Sequence, residues 1–391
     1  MVKMLVFDSL NADRVFVSLR KGRIDDCFLD LLEFGEKFNI EENILKAYFS
    51  YKLILSENLF AKLSIKKEIS EGSLFECANQ DIIFIFNLVE KYEDSLPSFI
   101  KNYCPTGCFK EKNQTVKDYI VKLANIKFHR LYTMELSKFY HKFGYGKFAL
   151  HTAFSYDGDF KVIENIDDIS FSDLYNINYQ KNIIIENTKD FLCGKFAHNI
   201  LLVGDSGTGK SSCVKAALNG FSHENLRLIE VNKSNIFKLA SLFEILKDYP
   251  NKFIIFLDDI SFEKGDDSYK ELKSIIDGKI LKKPDNVLVY ATSNRRHLIN
   301  EKWSDRMDDD VFKSDSLNEN ISLSQRFGII LFFESFTQEK YLDIVKNILS
   351  AKNIEFTEEI KQQALRWALK YNGRSGRTAR QFANFIIKSV N

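Results

Sequence analysis

Apolar residues recur at three- and four-residue spacing through most of the first 145 positions. The strings DDCFLDLLEFGEKF, EENILKAYFSYKLILSENLFAKL and QTVKDYIVKLANIKFHRLYTMELSKFYHKF, and the run from Ser73 to Tyr103, all carry this period. It puts the apolar side chains on one face of a helix. The period changes in FALHTAFSYDGDFKVIENI, where two strand-like runs flank Asp157-Gly158-Asp159. A glycine there supplies the positive φ of a tight hairpin turn. The hairpin is expected to close a mainly helical N-terminal domain, residues 1–150, with its boundary near 145–170.

From Asn199 onward, short apolar runs alternate with amphipathic segments: NILLVG, a helix from Lys210, LRLIEVN, NIFKLASLFEILKDY, KFIIFLDDI, SYKELKSIIDG, NVLVYATSN and GIILFFES. Strands apolar on both faces and separated by helices call for a parallel sheet covered on both sides, an α/β core expected over 165–336. The last stretch, 337–391, holds only helical patterns and fits a small lid.

Size agrees with this division, because 391 residues exceed what one hydrophobic core usually supports. Phe is frequent, at 35 residues, but scattered at positions that fit helix stripes and strands. Charge is balanced in both parts, with 22 basic and 20 acidic residues in 1–150 and 33 and 34 in 151–391. That balance gives no support to a nucleic-acid partner, although a local basic patch would suffice for phosphate contacts. The apolar run at the N-terminus is too short for a signal segment, and no stretch approaches the ~20 apolar residues of a membrane span. A soluble, cytoplasmic protein is expected. Six cysteines without a paired framework suit a reducing compartment. Cys104-Pro-Thr-Gly-Cys108 lacks the second pair that a structural zinc needs, so no metal is assigned to it.

The most specific chemistry lies in Gly204, Asp205, Ser206, Gly207, Thr208, Gly209, Lys210 and Ser211, which match GxxxxGK[ST] between an apolar strand and a helix. In this Walker A loop the glycines let successive N–H groups point at phosphate oxygens, and the following helix adds its positive dipole end. Lys210 neutralises phosphate charge and Ser211 ligates Mg²⁺. The strand Phe253-Ile-Ile-Phe-Leu ends in Asp258 and Asp259, a Walker B pair: Asp258 on the metal side, Asp259 as catalytic base. Glu263 is a weaker substitute base.

Three further positions belong with these. Val287-Leu-Val-Tyr-Ala ends in Thr292-Ser293-Asn294, where a side-chain amide can reach a γ-phosphate; Asn294 is preferred over its neighbours. Arg326, before the last core strand, suits an arginine finger offered to a neighbouring subunit. Gly373-Arg-Ser-Gly376-Arg377-Thr-Ala-Arg380 opens a helix, and cations there oppose its dipole unless an anion is nearby. Arg377, or less favourably Arg380, therefore serves as a cis-acting sensor. Asn232 at a strand end is weaker evidence, and the pair Arg295–Arg296 follows Asn294. Asp173 to Tyr179 occupy the segment expected to contact a nucleotide base.

As a set these motifs resemble an uncharacterised family of bacterial AAA+ ATPases, domain of unknown function 815. The carrying strings are NTKDFLCGK, LDDISFEKGDDSYKELKSIIDG, PDNVLVYATSNRRHL, ISLSQRFG and GRSGRTARQF, spread over about 165–385. The resemblance implies an ASCE core with a five-stranded sheet of order 5-1-4-3-2 and a helical lid. It also implies ATP and Mg²⁺ at Gly204 to Ser212 and Asp258, with Asp259, Asn294, Arg326 and Arg377 as catalytic and sensing groups. Two departures stand out: Asp259 where AAA+ proteins usually have Glu, and Asn176 where the family more often has Gly.

Three outputs compete for such a core: an ATP-driven remodeller of an unknown protein client, a DNA-associated ATPase of the helicase-loader kind, and a nucleotide switch with little turnover. Neutral charge weighs against the second, and the short Asp259 keeps the third. A homo-oligomer is expected, and no membrane.

Overall fold

The computed structural model describes residues 3–108, 114–261, 267–277, 283–294, 326–371 and 373–390. Glu263, Arg295 and Arg296 lie outside the described residues. The chain forms two compact units, one of Met1–Thr152 with Asp248–Asn251 and one of Ala153–Lys247 with Lys252–Asn391.

The first unit is helical: α1 (Arg14–Arg20), α2 (Phe28–Phe38), α3 (Ile44–Leu55), α4 (Leu59–Ser64), α5 (Ser73–Glu93), α6 (Ser98–Lys101), α7 (Gln114–Ala124), α8 (His129–Phe143) and α9 (Lys147–Leu150). Its core absorbs much of the phenylalanine. Phe7, Phe16, Phe49, Phe60, Phe75 and Phe139 are fully buried. Several meet other rings edge-on, as in Phe16 with Phe49 and Phe60 with Tyr140, the arrangement that the ring quadrupole favours. The N-terminal segment is tied down by one buried carboxylate: Asp81 accepts from the backbone N–H groups of Leu5, Val6 and Phe7 at 2.7–3.1 Å. Cys104 and Cys108 are exposed.

The second unit begins with the hairpin β1 (Ala153–Tyr156) and β2 (Phe160–Val162), followed by α10 (Asn178–Leu192), β3 (Ile200–Gly204), α11 (Lys210–Phe221) and β4 (Leu226–Val231). Then come α12 (Leu239–Leu246), β5 (Lys252–Leu257), α13 (Asp267–Asp277), β6 (Val287–Ser293) and β7 (Ile329–Phe333). Three helices end the chain: α14 (Gln338–Ser350), α15 (Glu358–Lys370) and α16 (Gly376–Val390). Their starts follow from the sequence. Thr337 and Thr357 cap α14 and α15 by accepting from Lys340 N and Ile360 N, and Ser375 accepts from Thr378 N ahead of α16.

Among the described residues the sheet has seven strands in the order β2-β1-β4-β5-β6-β3-β7, parallel except for the β1–β2 hairpin. The expected five-stranded sheet is corrected to seven strands, the order 5-1-4-3-2 being kept among five of them and lengthened by the two strands of the hairpin. The five strands anticipated from sequence occupy the run β7-β3-β6-β5-β4, and the hairpin extends it at the β4 edge. It therefore belongs to the second unit, where Ala153 to Tyr156 pair with Leu228 to Val231, and does not close the first. The central strands are buried on both faces, all seven residues of β6 included, as a sheet covered on both sides demands. Register then sets the site: Val203 pairs with Ser293 on one flank of β3, Gly204 with Phe333 on the other, and Leu257 pairs with Ala291. The C-terminal ends of β3, β5 and β6 thus carry their following residues to one edge. No helix among the described residues is long and apolar enough to cross a membrane.

Candidate functional site

The loop from Gly204 to Gly209 is held by contacts that leave no room for a side chain at two of its glycines. Gly204 has φ +154°, and a Cβ there would sit 2.0 Å from the carbonyl oxygen of Phe333 on β7. Gly207 has φ +77°, and a Cβ there would come within 2.9 Å of Ser375. Both positions need glycine for space as well as for torsion. The loop is also stitched to its surroundings. Thr208 Oγ1 donates to Asp205 O at 2.8 Å, Ser335 Oγ donates to the Asp205 carboxylate, and Gly376 N at the start of α16 donates to Gly207 O at 2.9 Å.

Lys210 is the first residue of α11 and is buried. Its Nζ donates to Gly204 O (2.7 Å), Asp205 O (2.8 Å) and Asn294 Oδ1 (2.9 Å). Burial pulls its pKa below the ordinary lysine value, while the carboxylates of Asp259, Asp205 and Asp258 pull in the opposite direction. Next to it, Ser211 Oγ donates to Asp258 Oδ1 at 2.7 Å, and Thr292 Oγ1 donates to the same oxygen at 2.5 Å. Thr292 Oγ1 in turn accepts from Asp259 N at 2.8 Å, and Asn294 Nδ2 donates to Asp259 Oδ1 at 2.6 Å. Asn294 thus spans Lys210 and Asp259 with one amide. Asp259 takes a left-handed backbone, φ 51°, a conformation that aspartate tolerates better than most residues.

These residues line a cavity of about 600 Å³. The Gly207–Ser212 stretch and Ser206, Asp258, Asp259, Thr292 and Asn294 line it. Leu174, Tyr175, Ile177, Phe336, Ile344 and Ile348 supply its apolar lining, the last two one helical turn apart on α14 and Ile177 beside Gly209. Asp167, Asp173, Lys215, Arg377, Arg380, Gln381 and Asn384 supply the polar rim. Lys215 Nζ meets Asp167 Oδ2 at 2.5 Å, and the hydrogen bond from Lys215 holds the Asp167 pKa below the usual carboxylate range. Hydrogen bonds from Ser170 do the same for Asp173.

The positions read from sequence fall in different places. Lys210, Ser211, Ser212, Asp258, Asp259, Asn294 and Arg377 line the cavity, and Gly204 and Asp205 hold Lys210 by their carbonyls. Arg380 also lines it, with Nη2 donating weakly to Asp173 O at 3.5 Å. Arg326 does not. It precedes β7, whose start pairs with the start of β3 and not with the loop end, and the strand from Ile329 to Phe333 spans about 13 Å. Asn232 precedes the 3-10 turn after β4 without a side-chain capping bond and does not line the cavity. Asn176 takes φ 61°, a left-handed torsion, and its amide donates to Lys340 O.

Sequence reasoning missed Asp167, Lys215, Phe336, Ile344, Ile348, Gln381 and Asn384. The α16 group was legible in principle: positions 377, 380, 381 and 384 keep the i, i+3, i+4, i+7 spacing of one helix face.

A glycine loop between strand and helix, an Asp pair on the strand two places along the sheet and an amide on the strand between them define the class, an AAA+-like P-loop α/β fold. The match of residues 148–390 to the model of the protein family of unknown function DUF815 covers more than half of the chain, which belongs to that family. No curated protein matches it. Similar solved structures include a point mutant of RuvB from Thermotoga maritima, with 18% identity over 54% of this chain and 60% of that one and a TM-score of 0.37. Others are the FIGL-1 AAA domain in complex with ADP (19%, 56% and 73%, 0.38) and AMPPCP-bound DnaA from Aquifex aeolicus (17%, 53% and 60%, 0.36). The chain spans less than two thirds of those RuvB and DnaA chains.

Proposed function

We propose that the protein binds ATP with Mg²⁺ at the loop between β3 and α11 and hydrolyses it, and that turnover moves α14 to α16 so as to remodel a protein or complex. The observation that supports this best is the joining of Lys210, Asn294 and Asp259 by hydrogen bonds of 2.6–2.9 Å on the wall of one cavity. The donor set fits the metal, since Ser211 Oγ and the Asp258 carboxylate are adjacent hard oxygens. The glycine loop fits the phosphates, since it brings backbone N–H groups to a helix N-terminus.

Bound Mg²⁺ would offset the charge of the β- and γ-phosphate oxygens. Lys210 places a cation beside them, and Asp259 accepts the proton of the attacking water. Asn294 fixes the orientation of that carboxylate and ties it to Lys210. Arg377, on the cavity wall, adds positive charge from the same chain. Arg326, at the far end of β7, serves a second copy. In this reading residues 165–336 are the ATPase core, 337–391 the lid and 1–150 the partner-binding part of a cytoplasmic homo-oligomer.

One observation favours a second reading, a nucleotide switch with little turnover. Asp259 is one methylene shorter than the glutamate usual at such a position, and its carboxylate is already bonded to Asn294. A DNA-associated role draws no support from the balanced net charge of +1.

Replacement of Lys210 by Ala tests the site directly. Titration calorimetry should register a loss of ATP affinity of about a hundredfold or more, the scale of losing charge-assisted hydrogen bonds. An unchanged affinity removes the site.

A further inference from the structure

Near-neutrality of the whole chain conceals one uneven stretch. From Ile360 to Asn391 there are seven lysines and arginines and no aspartate or glutamate, although the full chain carries a net charge of only +1. Arg377 and Arg380 line the cavity, and Lys361 is paired with Glu358 at 3.0 Å. The other four, Arg366, Lys370, Arg374 and Lys388, are exposed, and none of them meets a carboxylate among the described residues. Unpaired charges of one sign gathered on one pair of helices favour a polyanion as partner.

The same helices carry a cluster of partly exposed rings. Trp367 packs against Tyr371 and Phe385, with ring centroids 4.5 and 5.1 Å away, and is anchored to the core by the buried Phe382 at 5.7 Å. Tyr371 and Phe385 remain 40% and 52% exposed. Cations stand beside them. Lys370 Nζ lies 5.2 Å from the Tyr371 centroid, Arg366 precedes Lys370 by four positions on α15, and Lys388 follows Phe385 by three on α16, spacings that put each pair on one helix face. Rings interleaved with cations match a strand in which flat bases alternate with phosphates. An acidic peptide would occupy the cations and leave the rings unmatched. A duplex offers phosphates but keeps its base faces stacked inside.

We infer that the face formed by the end of α15 and by α16 binds single-stranded nucleic acid, with Tyr371 and Phe385 stacking on bases and Arg366, Lys370, Arg374 and Lys388 meeting phosphates. These residues are apart from those that line the cavity, and the inference does not rest on the nucleotide site. DNA and RNA strands share the chemistry that this face would read, so both serve as probes.

Fluorescence anisotropy on the full chain tests it, with labelled oligothymidylate and oligouridylate of about 15 nucleotides and with duplex DNA, inorganic polyphosphate and polyglutamate as competitors. At least one single strand should bind more tightly than all three competitors, and log K should fall with log salt at a slope of about −3, the value for four phosphate contacts. Lys370→Ala/Lys388→Ala should make that slope shallower by about 1.4. Tyr371→Ala/Phe385→Ala should lose about tenfold or more in affinity, the scale of removing stacked rings, with the slope unchanged. Tyr371→Leu/Phe385→Leu keeps apolar contact with Trp367 but no flat face, and should show the same loss with a melting temperature near that of wild type. ATP affinity, measured on the same samples, should not change. If neither strand binds, if both bind no better than the competitors, or if the ring variants keep wild-type affinity, the inference falls, and ATP binding reports separately on the nucleotide site.

Discussion

Asp258 and Asp259 are adjacent in sequence but differ in surroundings. Asp258 receives two hydroxyl donors, from Ser211 and Thr292, on one oxygen, and Ser211 is itself the metal-side hydroxyl of the loop. Asp259 has a left-handed backbone, and its carboxylate accepts from the amide of Asn294. Under the proposed roles, Asp258→Asn should weaken the Mg²⁺ dependence of ATP binding, because a hard anionic ligand is lost. Asp259→Asn should bind Mg²⁺-ATP normally and lower kcat by about 10²–10⁴, the usual contribution of a general base. Paired binding and phosphate-release measurements separate the two. Equal loss of binding in both variants would contradict the division.

At the scale of elements, the contact of interest is that of the loop with α16. Gly376 N donates to Gly207 O, and Ser375 fills the space where a Gly207 side chain would go. Under the proposed site, a change in the loop on binding phosphate would be passed through this bond to the helix that carries Arg377. Gly207→Ala should loosen this link. Gly373→Ala is the control, since φ is +82° there but nothing lies within 4 Å of an added Cβ. Each should cost about 1–2 kcal/mol of left-handed strain, seen as a drop in melting temperature. Only Gly207→Ala should also speed amide exchange at Gly376 and weaken nucleotide binding. The same exchange rate in both variants would mean that the hydrogen bond does not couple loop and helix.

The elements also show which features sequence carries. NILLVG, KFIIFLDDI and NVLVYATSN were legible as strands because both faces of a parallel sheet are buried, so their apolar runs are unbroken. Lys210 and Ser211 were readable as a unit because a glycine loop between strand and helix constrains residue types over a few consecutive positions, and Asp258 because it ends an unbroken apolar strand. The hairpin was legible as a hairpin, but its partner was not. Its apolar residues mark Ala153–Tyr156 as a strand, while the parallel pairing with Leu226–Val231 is decided by a distant edge. The polar wall on α16 failed for the same reason. Its spacing is visible, but which cavity it faces depends on how α14 and α16 pack together.

For the whole molecule the open consequence concerns Arg326. Its end of β7 lies about 13 Å of strand away from the level of the loop, so it is poorly placed to serve its own site, whereas Arg377 sits on the cavity wall. If Arg326 stabilises transition-state charge, it does so in a neighbouring copy, and a finger supplied this way raises the rate by about 10³–10⁵. Dilution should then depress specific activity far more than nucleotide binding. Mixed assemblies sharpen the test. A Lys210→Ala chain keeps its arginine but has no working site, and an Arg326→Ala chain keeps its site but offers no arginine. Each alone should be inactive, and their blend should recover part of the wild-type turnover, because some interfaces pair an intact site with an intact Arg326. A blend that stays inactive, with wild-type activity independent of concentration down to a monomeric sample, would make Arg326 a surface residue and remove the need for a homo-oligomer.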